Sequence, residues 1–154
     1  KEASVLSLSP VENPEEGRWT WAYSEAMYEH KAFQYWGPKE MLAVPLSTYR
    51  WVEDSTNDGY SWHYEYVSKA IIVNVNESSG DMFIHGEINH SSLVNSEESN
   101  YWWGGDQNIR RTIFMGDFIY AISGAGITVH NLDSMEQTDV VAFDIEMPDY
   151  YIAY

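Results

Sequence analysis

Between Arg111 and Asn131 the chain reads RTIFMGDFIYAISGAGITVHN, three runs of β-branched and aromatic residues separated by Gly116-Asp117 and by the stretch from Ser123 to Gly126. Gly and Asp supply the backbone conformations that tight hairpins need, and the runs between them have strand length, so consecutive antiparallel strands are expected. Phe118, Tyr120 and Ile122 alternate with Ile119 and Ala121. Because successive side chains of a strand point to opposite faces, both faces of this sheet are apolar. Such a sheet has to be stacked between two others, and it cannot stand alone.

The same punctuation runs through most of the chain. Strands are expected near 31–36, 41–46, 64–75 and 81–89, then near 110–115, 117–123, 126–131 and 138–144. Gly37-Pro38, the Asn76 to Gly80 stretch and the Asp133 to Glu136 stretch provide turn chemistry between them. Residues 47–63 and 91–108 read as long polar loops. Residues 1–23, with Pro10, Pro14 and several acids, lack apolar periodicity and read as a surface lead-in, with helix left open around Ser24 to Tyr28. Two successive four-stranded meanders predict an all-β fold of about two β-propeller-type blades over 24–154, with a β-sandwich as the alternative reading of the same pattern.

Charge narrows the partners. The chain carries 24 Asp and Glu against 8 Lys and Arg, a formal charge of -16. Nucleic-acid affinity comes from cations that neutralise phosphate, so nucleic acid is excluded as a partner, and anionic membranes would repel the same surface. The longest apolar runs, such as 70–73, fall far short of the roughly 20 residues that a transmembrane helix requires. The acid excess has three readings: solubility in high salt, attraction of divalent cations, or ordinary solvated loops. No cysteine is present, which removes disulfides, thiolate nucleophiles and Cys-ligated metals. The sequence opens at Lys1 without Met, basic n-region or apolar h-region, the pattern of a fragment or a processed chain.

Two stretches carry a family resemblance. Arg111 to Ser123 followed by Gly126 to Leu132 is one, and Ser24-Glu-Ala-Met-Tyr-Glu-His-Lys-Ala-Phe33 with Met41-Leu-Ala-Val-Pro45 is the other. Together they resemble the C-terminal blades of a secreted β-propeller domain family of bacteria and archaea, distantly related to WD-type propellers. The resemblance covers roughly 24–46, 69–88 and 110–143. It implies radial blades and an extracytoplasmic setting, secreted or at the cell surface, and it brings no catalytic residues to carry over. Two blades cannot close a ring, so the remaining blades are expected N-terminal to Lys1 or on another chain.

Candidate chemistry is sparse. Asp54, Thr56, Asp58, Tyr60 and Glu65 fall at positions 1, 3, 5, 7 and 12 of an EF-type loop with Gly59 at position 6, which makes 54–65 a candidate Ca2+ site. The unfavourable features are Ser61 at position 8 and the lack of flanking helices. His85 and His90 match neither a helical pair nor alternate strand positions, and they read as structural histidines rather than a zinc site. Glu29-His30-Lys31 joins acid, imidazole and amine, but neighbours on a strand face opposite ways, so these residues read as structural hydrogen-bonders. Trp102 and Trp103, with Trp51, Trp62, Asp106 and Asn108, are candidates for a glycan-binding surface, the alternative being that the aromatics pack between blades. Asn76-Glu-Ser78 and Asn89-His-Ser91 match the N-glycosylation triplet. No nucleophile elbow or phosphate loop is present.

The reading that follows is a noncatalytic scaffold or binding module outside the cytoplasm, possessing a calcium-stabilised loop and offering its rim to a protein, a glycan or the remaining blades. The alternatives are part of a propeller enzyme acting on glycans or peptides, with Asp106 or Glu29 as contributed acids, and an assembly subunit that pairs through exposed strand edges.

Overall fold

The computed structural model describes residues 4–8, 22–56, 59–93 and 107–143, with the backbone alone described over 49–65. Nine strands build two antiparallel sheets among these residues. The first contains β1 (Ala22–Tyr23), β2 (Gln34–Trp36), β3 (Met41–Thr56), β4 (Gly59–Val75) and β5 (Met82–Asn89). The second is the meander β6 (Arg111–Met115), β7 (Phe118–Ile122), β8 (Gly126–Asn131) and β9 (Gln137–Ala142). Each sheet takes its strands as one uninterrupted block of sequence, so no strand crosses between sheets. That is the connectivity of blades, whereas a Greek-key sandwich exchanges strands between its layers.

In the second sheet every expected hairpin is present. Met115 pairs with Phe118 across Gly116-Asp117, and Ile122 pairs with Ile127 across the Ser123 to Gly126 turn. The first sheet departs from expectation at its edge. Residues 30–32 form a 3-10 turn instead of opening a strand, because the Glu29 carboxylate accepts the Lys31 N–H at 3.0 Å and caps it. Glu25–Met27 makes a second such turn, capped by Ser24. The edge beside β3 is therefore shared by two short strands, β2 opposite Met41 to Ala43 and β1 opposite Ser47 and Thr48.

The long loop expected over 47–63 is instead strand. β3 and β4 pair continuously from Met41↔Asn74 to Thr56↔Gly59. β5 pairs only with Lys69 to Val75, so the distal arms of this hairpin pair with each other alone among the described residues. Thr48, Tyr49, Trp51 and Val52 on one arm and Tyr60, Trp62, Tyr64 and Val67 on the other are strand-favouring residues. Their intervening Ser, Glu and Asp gave the stretch a polar look without removing its capacity to pair. Within the expected loop at 91–108, Ser91–Leu93 forms a 3-10 turn.

The two sheets pack face to face. Met41, Ala43, Ala70, Ile72 and Ile88 of the first sheet share one core with Ile109, Phe114, Ile119, Ala121 and Leu132. Trp36 stacks over Phe114 with ring centroids 6.3 Å apart. The alternate residues of β3 and β4, Leu46, Ile71 and Val73, face the other way and meet Leu6 and Leu8. Leu6 and Leu8 of the lead-in are thereby partly buried. At one end Lys39 reaches from the first sheet to Asp117 and Asp133, at 3.0 and 3.1 Å, in the β6–β7 and β8–β9 turns of the second.

Gly126 is a close-approach position: a Cβ there would lie 2.5 Å from the Val141 carbonyl oxygen and 3.2 Å from the Ala142 Cα. Gly116, at φ +60°, has open space around it and needs glycine only for its backbone. Denaturant unfolding should therefore separate the two. Gly126→Ala is expected to cost about 1–3 kcal/mol through overpacking against backbone, and Gly116→Ala about 1 kcal/mol through its left-handed conformation. An equal cost at both sites would contradict the packing of β9 on β8.

Candidate functional site

Reactive side chains gather in the seam between the sheets and along its rim. β5 ends at Asn89, and the backbone N–H of His90 continues its pairing by donating to the Ser68 carbonyl at 3.1 Å. This register turns the His90 ring into the seam, where the residue is 0% exposed. Nδ1 lies 2.8 Å from Ser123 Oγ and Nε2 lies 2.8 Å from Thr128 Oγ1. Thr128 Oγ1 is also 3.0 Å from His130 Nε2, and His130 Nδ1 is 3.2 Å from the Met135 carbonyl. Burial, with a smaller contribution from His130, lowers the His90 pKa to about 4. Burial also lowers that of His130, opposed by its bond to the Met135 carbonyl. Both rings are neutral at pH 7 and serve as polar ties across an apolar interface.

A second tie lies beside it. Asn108 Oδ1 accepts from Ser47 Oγ at 3.0 Å and from the Tyr66 hydroxyl, and the Ile109 N–H donates to Ser68 Oγ at 2.9 Å. Asn108 is thereby held against the first sheet rather than presented to a sugar.

At the rim, the Glu29 carboxylate is occupied as a turn cap, and that backbone bond lowers its pKa. Arg111 stands 3.9 Å from both Glu25 and Glu29. Glu29, His30 and Lys31 thus form a turn, consistent with their structural reading. The Tyr35 hydroxyl donates to Glu77, which pushes its pKa up to about 12. His85 Nε2 lies 2.6 Å from the Leu132 carbonyl, another contact between the sheets.

The residues of the candidate calcium loop are spread along the β3–β4 hairpin. Asp54 is opposite Ser61, Thr56 opposite Gly59, Tyr60 opposite Ser55 and Glu65 opposite Arg50. Asp54 and Glu65 are four ladder steps apart along the backbone, about 13 Å at roughly 3.3 Å per residue, and Asp58 lies outside the described residues. So do Trp102, Trp103 and Asp106; of Trp51 and Trp62 only the backbone is described. Among the described residues no group of three or more His, Asp or Glu is placed to hold a metal.

The feature that sequence inspection left unspecified is which sheet face stays open. Arg111–Ile122–Ile127–Val141 and Ile113–Tyr120–Val129 form cross-strand rows on the outer face of the second sheet, beside Met115–Phe118. Ile113, Met115 and Val141 are 44%, 59% and 55% exposed. The two-faced apolar alternation of β7 was the signal; among the described residues only one of the two faces is covered.

A family model described as "Beta propeller domain" matches residues 9–135. No curated protein and no solved structure matches the chain.

Two expectations follow. An unfolded histidine titrates near its ordinary value of 6.5 and folded His90 near 4, so between these values the unfolded state binds more protons. Stability present above pH 6.5 should therefore fall by roughly 3 kcal/mol as pH drops through this window, and His90→Gln should flatten the profile measured by denaturant titration. If 54–65 binds calcium, the thermal midpoint should rise with calcium at fixed ionic strength and the rise should vanish in Asp58→Ala; no shift would dismiss the site.

Proposed function

The chain belongs to the beta propeller domain family, and from that premise we propose that it is a noncatalytic scaffold that works outside the cytoplasm by offering blade faces and rims to partners. The observation that carries this reading is the open apolar face of the second sheet, built from Ile113, Met115, Phe118, Ile122, Ile127 and Val141. In a propeller each blade buries both faces against its neighbours. The first sheet meets that requirement with Leu6 and Leu8 on one side and the second sheet on the other. Among the described residues the second sheet meets it on one side only. A neighbouring blade, from the rest of the protein or from another chain, is the surface of matching chemistry for the open side.

The fates of Glu29, Lys39, His90 and His130 support binding over turnover, because each is engaged in a cap, an ion pair or a buried tie. The extracytoplasmic setting is supported by the resemblance of 24–46 and 110–143 to secreted propellers. Asn76 and Asn89, which head the glycosylation triplets, are exposed. No helix among the described residues is long and apolar enough to cross a membrane.

Paired substitutions on the open face test the proposal. Ile113→Glu with Met115→Glu should leave the unfolding free energy of this chain within about 0.5 kcal/mol, while abolishing concentration-dependent association in sedimentation velocity or binding to added neighbouring blades. Loss of the folded state on introducing the two glutamates would mean that the chain already covers this face itself, and the scaffold reading would lose its support.

A further inference from the structure

The buried polar chain in the seam has a property that its structural role does not require. The Met135 carbonyl can only accept, so in the neutral pair His130 carries its hydrogen on Nδ1 and leaves Nε2 as an acceptor. The Thr128 hydroxyl then donates to His130 Nε2. That hydroxyl has one hydrogen, so His90 must donate from Nε2 to Thr128 Oγ1, and His90 Nδ1 accepts from the Ser123 hydroxyl. All four bonds run in one direction, from Ser123 to Met135.

The first three of these bonds can run in the opposite direction at the cost of one added proton, while His130 goes on donating to the Met135 carbonyl. Ser123 Oγ has a second acceptor, the Gly126 carbonyl at 3.3 Å. If the Ser123 hydroxyl turns there, His90 Nδ1 binds the incoming proton and donates to Ser123 Oγ. The hydrogen on His90 Nε2 passes to Thr128 Oγ1, and the Thr128 hydrogen passes to His130 Nε2. Four hydrogens become five, no bond is lost, and the positive charge resides on His130. A second proton would break this pattern, because with an N–H from each ring on Thr128 Oγ1 the Thr128 hydrogen would lose both of its ring acceptors.

The geometry points to a one-proton relay between the two blades: Ser123, His90, Thr128 and His130 reverse their hydrogen bonds as a unit when the seam takes up a single proton, which emerges on His130. The surrounding elements leave the relay to its own two rings. On β4 and β5, Lys69 and Glu87 pair with each other at 2.9 Å on the opposite sheet face, beside Ile71. From the turn after β8, Asp133 is held by Lys39, and Glu136 is exposed. On β9, Asp139 pairs with Val129 on the outer face, and on β7 Tyr120 lies in the same row. His85, from β5, is engaged with the Leu132 carbonyl.

Long-range imidazole 15N–1H NMR of the labelled chain, followed from neutral pH to about 4, tests this directly. At neutral pH His90 should be the Nε2–H tautomer and His130 the Nδ1–H tautomer. On acidification His130 should become imidazolium first, at a pH where His90 is still neutral and has switched to Nδ1–H. Thr128→Ser should preserve the switch, and Thr128→Val should let His130 titrate with His90 unchanged. A His90 that keeps its Nε2–H tautomer while His130 titrates in the unmodified chain overturns the proposal. So does conversion of both rings to imidazolium together, or unfolding before any tautomer change.

Discussion

Burial of one apolar sheet face against another is the interaction on which the rest of this structure depends. Met41, Ala43, Ala70, Ile72 and Ile88 on one side, and Phe114, Ile119, Ala121 and Leu132 on the other, are removed from water together. A large aliphatic or aromatic side chain contributes about 1.5–3 kcal/mol when fully buried, so neither sheet keeps its stability without the other. The alanines matter for a second reason. Small side chains at Ala43, Ala70 and Ala121 bring the sheets close enough for Trp36 to stack on Phe114 and for His85, His90 and Lys39 to reach the second sheet.

Close stacking also sets the chemistry of the polar groups caught in the seam. A buried imidazole without partners would be costly, and the seam answers with hydroxyls at Ser123 and Thr128 spaced to meet both nitrogens of His90. The result is a neutral chain of hydrogen bonds inside an apolar interface. It fixes the register of one blade on the other, as apolar contact alone does poorly because it is non-directional. Groups that might have been reactive at the rim are consumed in the same way: Glu29 closes a turn and Lys39 bridges two hairpins. What remains unsatisfied is a surface, the outer face of the second sheet, and a surface is what a scaffold offers.

The sequence by itself determined the all-β class, the hairpins of the second sheet and the need to cover both faces of β7. These rest on turn residues such as Gly116 and on period-two alternation, signals contained within a few consecutive positions. Glu29-His30-Lys31, expected on a strand, forms a turn capped by Glu29 instead. The tertiary structure alone decided that residues 47–56 and 59–63 pair as one extended hairpin. It alone decided that His90 and His130 meet at one hydroxyl and that the second sheet keeps one face open. The physical reason is sequence distance: pairing, burial and proton affinity at these positions depend on residues tens of positions away, and only packing brings those residues within reach.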